Sequence, residues 1–366
     1  MGNWKSTLEG MGIREPIKAP FWKGKRVYIT GHTGFKGGWL SLWLQSMGAV
    51  VKGYALAPPT QPSFFEAAGV GSGMESELGD IRALDKLKKS MSEFNPDVVF
   101  HLAAQPLVRD SYLDPLGTYS TNVMGTVNVL EAVRGCAQVG AVVAVTTDKC
   151  YENKEWPWAY RENEPMGGHD PYSSSKGCAE LVTAAYRRSF FHQEGSASVA
   201  TARAGNVIGG GDWAKDRLIP DALRAFDKKE DVIIRNPKAI RPWQHVLEPL
   251  SGYLVLAEKL YEEGVAFAEG WNFGPKDEDC KPVAWMLDTL IDYWNGPANW
   301  ILDQNANPHE ATFLKLDCSQ ADFKLKWKPK WHVELALKKV VDWHLAHKQG
   351  VDMRDYSMNE IRTYNG

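Results

Sequence analysis

Tyr172 and Lys176, in Tyr172-Ser173-Ser174-Ser175-Lys176, stand four residues apart, the spacing that brings two side chains onto one face of a helix. A lysine ammonium beneath a phenol ring, with a cationic nicotinamide nearby, favours phenolate and draws the tyrosine pKa toward neutrality. A tyrosine so tuned can take the proton of an alcohol while hydride leaves the same carbon. Upstream, Thr146-Thr147-Asp148-Lys149-Cys150-Tyr151 sets a carboxyl beside an ammonium, either a second acid/base pair or a solvated ion pair at a strand end. A third cluster is Gly31-His32-Thr33-Gly34-Phe35-Lys36-Gly37-Gly38. Glycines at this spacing permit a sharp turn, let backbone N–H groups approach a pyrophosphate and let the following helix pack closely, which is the chemistry of a dinucleotide site.

These groups need a scaffold that aims them at one point. Apolar, β-branched runs at 26–30, 49–54, 97–102, 139–146 and 198–203 alternate with helix-like stretches at 38–47, 85–93, 118–134 and 175–191. Strand alternating with helix predicts an α/β fold, a Rossmann-type doubly wound parallel sheet whose ligands lie beyond the carboxyl ends of the strands. After Val207 the alternation fades and Gly, Pro and Trp become frequent, which predicts a smaller, loop-rich C-terminal substrate-binding domain. The expected division is an arm at 1–20, a dinucleotide-binding domain with the catalytic residues at 21–205, and a mainly substrate-binding part at 206–366 whose chain crosses back to the first.

With 366 residues, 44% of them hydrophobic, the chain can bury one large core or two modest ones. A net charge of −3, with no basic run interleaved with aromatics, argues against nucleic acid as a partner. No apolar stretch approaches the length of a membrane span, and the first residues are too polar for a signal peptide, so no membrane partner is expected. The five widely spaced cysteines form no CxxC pair and no disulfide ladder; a reducing cytoplasm and no metal are expected.

The GxxGxxG spacing resembles that of the extended short-chain dehydrogenases, and further landmarks follow in their order. Gly79-Asp80-Ile81 resembles the family's adenine-contacting acid, His101-Leu102-Ala103-Ala104-Gln105 its strand-end loop over the cofactor, and Asn122 its helix asparagine. The resemblance implies cofactor contacts from Gly31, His32, Thr33, Gly34, Phe35, Lys36, Gly37, Asp80, Ile81, Leu102, Ala103, Ala104, Asn122, Tyr172 and Lys176. The second apolar run ends in Gly53-Tyr54-Ala55 without the acid that holds an adenosine ribose, so NAD is expected from the resemblance while NADP stays open.

In the same family, sugar-nucleotide 4,6-dehydratases carry Thr-Asp-Glu after the fourth strand, the Asp protonating the C6 hydroxyl and the Glu taking the C5 proton. Here Lys149 replaces the Glu, which resembles the branch acting on CDP-glucose. The likeness extends through Tyr151-Glu152-Asn153, His169-Asp170-Pro171-Tyr172, the stretch from Arg203 to Trp213, and Arg241-Pro242-Trp243-Gln244-His245-Val246. It implies that Thr147, Asp148, Lys149, Tyr172 and Lys176 are catalytic, with Asp148 the C6 acid and a neutral Lys149 the C5 base. Two substrate phosphates call for arginines and donors, and Gln105, Arg203, Asn206, Arg217, Leu218, Arg235, Arg241 and His245 are the expected substrate residues. Trp213 and Trp243 either stack on the ligand or pack in the core. A homodimer or homotetramer is expected through a stripe of Val123, Val127, Leu130 and Val133. Two other readings compete: a 4-epimerase or dehydratase for another nucleotide, and a catalytically silent cofactor-sensing protein. The adjacent Asp148–Lys149 and the intact Tyr172–Lys176 argue against the epimerase and the silent protein, respectively.

Overall fold

The computed structural model describes residues 17–304 and 313–366. Most of the arm expected at 1–20 therefore lies outside the described residues. Seven parallel strands form the central sheet: β1 (Arg26–Thr30), β2 (Val50–Ala55), β3 (Glu75–Leu78), β4 (Val98–His101), β5 (Ala141–Val145), β6 (Ser198–Ala204) and, after two strands of a second sheet and one of a third, β10 (Gly270–Phe273). Their order across the sheet is β10-β6-β5-β4-β1-β2-β3. The Rossmann-type α/β architecture is thus as expected. Strand β3, Glu-Ser-Glu-Leu at the sheet edge, has no apolar run to announce it; it pairs with β2 through backbone and through Lys52, whose Nζ reaches Glu75 (2.6 Å) and Glu77 (3.2 Å).

Alternate residues of each strand face opposite sides, and both sides are covered. Val27, Ile29, Val98, Phe100 and Val143 pack against the helices Phe35–Ser46 and Leu247–Glu263, whereas Tyr28, Val99, Val142 and Val199 meet Leu87, Met91, Leu130 and Val133. Helix Phe35–Ser46 carries Trp39, Leu40, Leu42, Trp43 and Leu44 with no exposed surface, because the sheet lies on one side and the C-terminal helix Met353–Asn365 on the other. Leu130 and Val133 are spent on the chain's own core, so the stripe expected to pair two copies is not free on its helix; only Val123 and Val127 of it are partly exposed.

The expectation of loops beyond Val207 is corrected. Among the described residues six helices follow, Leu218–Lys228, Leu247–Glu263, Val283–Tyr293, Ser319–Leu325, Val333–Lys348 and Met353–Asn365, beside a three-stranded sheet of β7 (Asn206–Ile208), β9 (Ile240–His245) and β11 (Cys280–Pro282) and a pair of β8 (Val232–Ile234) and β12 (Trp300–Leu302). The misleading residues are absorbed without breaking helices. Pro249 falls in the first turn, where the amide has no intrahelical partner to lose, and Gly252 leaves room for Phe273, whose ring atom would lie 2.2 Å from an added Cβ. Strand β10 and helix Leu247–Glu263 return the chain to the first core. Among the described residues no helix is long and apolar enough to cross a membrane.

Behind the sheet, Glu258 accepts hydrogen bonds from the Trp22 indole N–H (2.6 Å) and the Lys18 amide (3.0 Å). Burial pushes its carboxyl up from an ordinary 4.5 to about 7. The folded state therefore holds this proton more tightly than the unfolded chain; the contribution is complete below about pH 4.5 and is lost as pH rises through 7. Thermal melts between pH 5 and pH 8 should show a steeper fall of Tm for the wild type than for Glu258→Gln. Parallel slopes would contradict this.

Candidate active site

The carboxyl ends of β1, β4, β5 and β6 open into one cavity of about 1510 Å³, walled on the far side by residues of the second half. At its floor the glycine loop leaves β1. Gly31 turns there at a φ of +81°, and a Cβ on it would sit 2.6 Å from the Ala103 amide nitrogen. A Cβ on Gly37 would strike the Gly31 carbonyl oxygen at 2.1 Å, which is how closely the helix seats on the loop. Beside Gly34, by contrast, an added Cβ meets only the Gly31 oxygen at 3.4 Å, and a side chain there would fill the cavity in front of the helix N-terminus. Bare amides, an open cradle and the start of a twelve-residue helix fit the pyrophosphate of a dinucleotide.

His32 is corrected as a cofactor contact: it does not line this cavity. Its ring lies over β2 where a Gly53 Cβ would be 2.1 Å from Cγ, and its Nε2 pairs with the Ser76 hydroxyl at 2.7 Å. Gly53 thus exists to admit a histidine, a use its sequence position does not reveal. Asp80, at the adenosine end, is bound by Arg82 Nη2 at 2.6 Å, and that arginine holds its carboxyl below the ordinary value.

Strand β5 delivers the catalytic turn. Thr147 caps it by accepting the Lys149 amide (3.3 Å) and donates its hydroxyl to Asp148 Oδ1 (2.9 Å). Asp148 is buried, its Oδ2 has no protein partner, and that oxygen lies over Gly205, where an added Cβ would come 3.1 Å from it and 2.4 Å from the Pro242 ring. Burial raises the carboxyl pKa, although Lys149, the Thr147 hydroxyl, Arg241 and Lys36 all pull it down. A buried acid whose pKa is raised and whose second oxygen has no partner is suited to giving up a proton.

Opposite, the helix Pro171–Phe190 begins at an Asp170 cap that accepts the Ser173 amide (2.9 Å) and hydroxyl (2.6 Å), which fixes Tyr172 in the first turn. Lys176 follows one turn later, its Nζ 3.4 Å from the Val145 carbonyl. The expected lowering of the tyrosine pKa is not supplied by these residues. Burial lifts the phenol to about 12, Asp148 adds to the rise, and the Thr147 hydroxyl and Arg217 offset only part of it. Lys176 itself is lowered to about 8 by burial. Lys36, from the glycine loop, is brought to about 7 by burial and by the Arg217 and Lys176 charges.

Asn122 does its work inside a π-helical turn, Ser120–Met124. Its side chain accepts the Gln105 amide (2.8 Å) and donates to the Gln105 carbonyl (3.0 Å) and the Ser175 hydroxyl (2.9 Å), tying the loop after β4 to the tyrosine helix. Gln105 lines the cavity, yet its side chain is committed to Thr118 and the Leu107 amide.

Asn206, Arg217, Leu218, Arg235 and Arg241 do line the substrate side, Arg217 held by Asp212 at 2.8 Å. Two expected substrate residues do not. Arg203 is buried with its guanidinium on Glu180, Tyr151 and the Glu162 carbonyl. His245 is buried 3.0 Å from Glu360, between the rings of Trp39 and Trp331. Arg203 sits beside Ala204 of the cavity wall but turns its side chain away, and His245 lies two residues past Trp243, at a strand end that no longer lines the cavity. Trp243 packs in the second core with its indole N–H on the Lys281 carbonyl, and Trp213 meets Trp343 at the cavity edge. Asp212 and Glu180 were not singled out by sequence; the signal for Glu180 was its place one further turn along the Tyr172–Lys176 face.

The profile of the GDP-mannose 4,6-dehydratase family matches residues 28–340. A Salmonella typhimurium protein named CDP-glucose 4,6-dehydratase is 60% identical over 352 residues, 95% of this chain and 98% of that one. A dTDP-glucose 4,6-dehydratase of the same organism is 25% identical over 75% of this chain and 80% of its own length. Among solved structures, a UDP-glucose 4-epimerase from Stenotrophomonas maltophila with bound NAD superposes with a TM-score of 0.77 at 19% identity, over 89% of this chain and all of the other.

Because the Gly37 contact is with backbone, Gly37→Ala must displace the loop. Overpacking of this kind costs about 1–3 kcal/mol, so the variant should melt several degrees lower and bind dinucleotide much more weakly in calorimetry. Wild-type melting with unchanged binding would show that the loop is not so tightly seated.

Proposed function

This chain belongs to the GDP-mannose 4,6-dehydratase family, and from that membership we propose that it is a lyase converting CDP-D-glucose to CDP-4-dehydro-6-deoxy-D-glucose and water. The observation that carries the reading is the grouping of Asp148 and Lys149 with Thr147 and Tyr172 in one cavity, in a chain 60% identical to a protein named for that reaction. Held by the glycine loop, NAD⁺ would supply the acceptor for the C4 hydride and its return to C6, and would add positive charge to the site. NAD rather than NADP is favoured because Arg82, the arginine at the adenosine end, is neutralised by Asp80 and offers little to a 2′-phosphate.

Tyr172 takes the proton of the C4 hydroxyl, with Thr147 holding that oxygen and Arg217 adding positive charge. The C4 ketone acidifies the C5 hydrogen, which the Lys149 amine removes. Asp148, whose pKa burial raises, gives its proton to the C6 hydroxyl as it leaves as water. Lys149 then returns its proton to C5 as hydride arrives at C6. Tyr172 has gained one proton and Asp148 has lost one, and the Thr147 hydroxyl between them offers the route that resets both. Arg217, Arg235 and Arg241 meet the pyrophosphate and nucleotide.

The five unpaired cysteines fit a reducing cytoplasm. Assembly of at least two copies is also proposed. With Leu130 and Val133 buried, the apolar face on offer is Leu116, Met124 and Leu181, exposed on elements that pack together around the tyrosine helix. A one-chain mass in dilute sedimentation would refute it.

Incubated with CDP-, dTDP-, GDP- and UDP-glucose, the protein should convert the CDP sugar to a product lighter by one water, read by mass spectrometry, without releasing reduced cofactor. Tyr172→Phe should abolish every step. Asp148→Asn and Lys149→Ala should slow elimination by about 10²–10⁴ and accumulate a nucleotide sugar lighter by two hydrogens. Normal turnover by Lys149→Ala would remove that lysine as the C5 base.

A further inference from the structure

Below the reacting groups lies a charged pair that touches no cavity. Glu180 stands one turn beyond Lys176 and two beyond Tyr172 on the same helix, and Arg203 lies on β6; both side chains are 5% exposed. Their contact is bidentate, Nε to Oε1 at 2.9 Å and Nη2 to Oε2 at 2.8 Å. The remaining capacity of each is spent on the frame of the site. Glu180 accepts the hydroxyl of Thr146 (2.5 Å) and of Thr201 (2.7 Å). Arg203 Nη1 donates to the Tyr151 hydroxyl (2.7 Å) and the Glu162 carbonyl (3.0 Å), and Tyr151 in turn donates to Asn272 on β10 (2.7 Å).

Thr146 and Tyr151 are the residues on either side of the turn Thr147-Asp148-Lys149-Cys150. Both ends of the acid/base turn and the helix bearing Tyr172 and Lys176 are therefore tied to one ion pair. We propose that Glu180 and Arg203 are positioning residues for catalysis: the pair fixes the register between the acid/base turn and the tyrosine helix, so that oxidation at C4 and elimination at C5 and C6 act on one substrate pose. The inference rests on the reading of the site given above.

Burying two charges is costly in desolvation, and an apolar pair of similar volume often serves stability as well or better. What an apolar pair cannot supply is the set of directed hydrogen bonds to Thr146, Thr201 and Tyr151. A positioning error of about an ångström costs on the order of 10² in rate while leaving ground-state binding largely intact. The pair also has an electrical reach. The charged or titratable groups acting on Lys176 are Glu180 one turn along its own helix, Cys150 of the catalytic turn, Lys36 of the glycine-loop helix and His101 of β4; among them Glu180 is the leading influence that raises its pKa against burial.

The test uses the full-length protein with CDP-glucose. Glu180→Gln should lower kcat by about 10- to 100-fold with KM held within a few-fold, and should move the alkaline limb of the kcat profile, set by loss of the Lys176 proton, to lower pH. The double variant Glu180→Leu/Arg203→Met should melt near the wild type yet keep the low kcat. Wild-type kcat and pH limb in Glu180→Gln, or recovery of kcat in the double variant, would overturn the proposal. Should either fail to melt cooperatively, Tyr151→Phe, which removes one hydroxyl and no charge, decides: reduced kcat at constant KM supports the inference and unchanged kcat overturns it. Failure of the wild type to turn over CDP-glucose would instead refute the reading of the site, whereas the ratio of variant to wild type speaks only to the pair.

Discussion

Burial of Asp148, Tyr172 and Lys176 is the constraint to which the remaining features of the site answer. Asp148 is pushed toward its acid form, Tyr172 is held at about 12, and Lys176 and Lys36 fall to about 8 and 7, each with burial as the leading cause. A single dry wall therefore drives four side chains toward neutrality. For the proposed reaction this is right for an acid at C6 and insufficient for a base at C4. The phenol needs positive charge that the chain supplies only in part, through Arg217. The protein keeps its acid ready and makes its tyrosine depend on what is bound, so oxidation starts only in a loaded site.

Parallel strands make such a wall possible. Because β1, β4, β5 and β6 run the same way, the glycine loop, the loop after His101, the turn after Val145 and the Gly205 bend all emerge on one rim. The orphan oxygen of Asp148 over Gly205 shows how finely that rim is filled. A Cβ at Gly205 would strike the Pro242 ring at 2.4 Å and crowd that oxygen at 3.1 Å.

Much of this was legible in the sequence because the relevant signals are local. A strand, a turn of glycines and an amphipathic helix can be seen from their own residues, as can a tyrosine and lysine one turn apart. What stayed hidden depends on partners distant in the chain. Strand β3 has no apolar pattern, since its contribution is backbone pairing at an edge. His32 and Gly53 explain each other only once β1 and β2 are side by side. Arg203 and His245 lie in segments that reach the cavity, but their side chains are held by acids distant in the chain, Glu180 and Glu360. The helices after Val207 were obscured because glycine and proline were weighed as breakers rather than placed in first turns and ring contacts.

The return of β10 to the central sheet carries a consequence for how the molecule assembles. Until Gly270–Phe273 is in place, β6 presents an unpaired edge, and until Leu247–Glu263 is in place one apolar face of β5 and β6 has no cover. A chain still being synthesised passes through that exposed state over the whole excursion from Asn206 to Glu269. The two halves share one core: severed near Gly205, the first would keep its glycine loop and its tyrosine but expose the edge of β6 and an apolar face of the sheet.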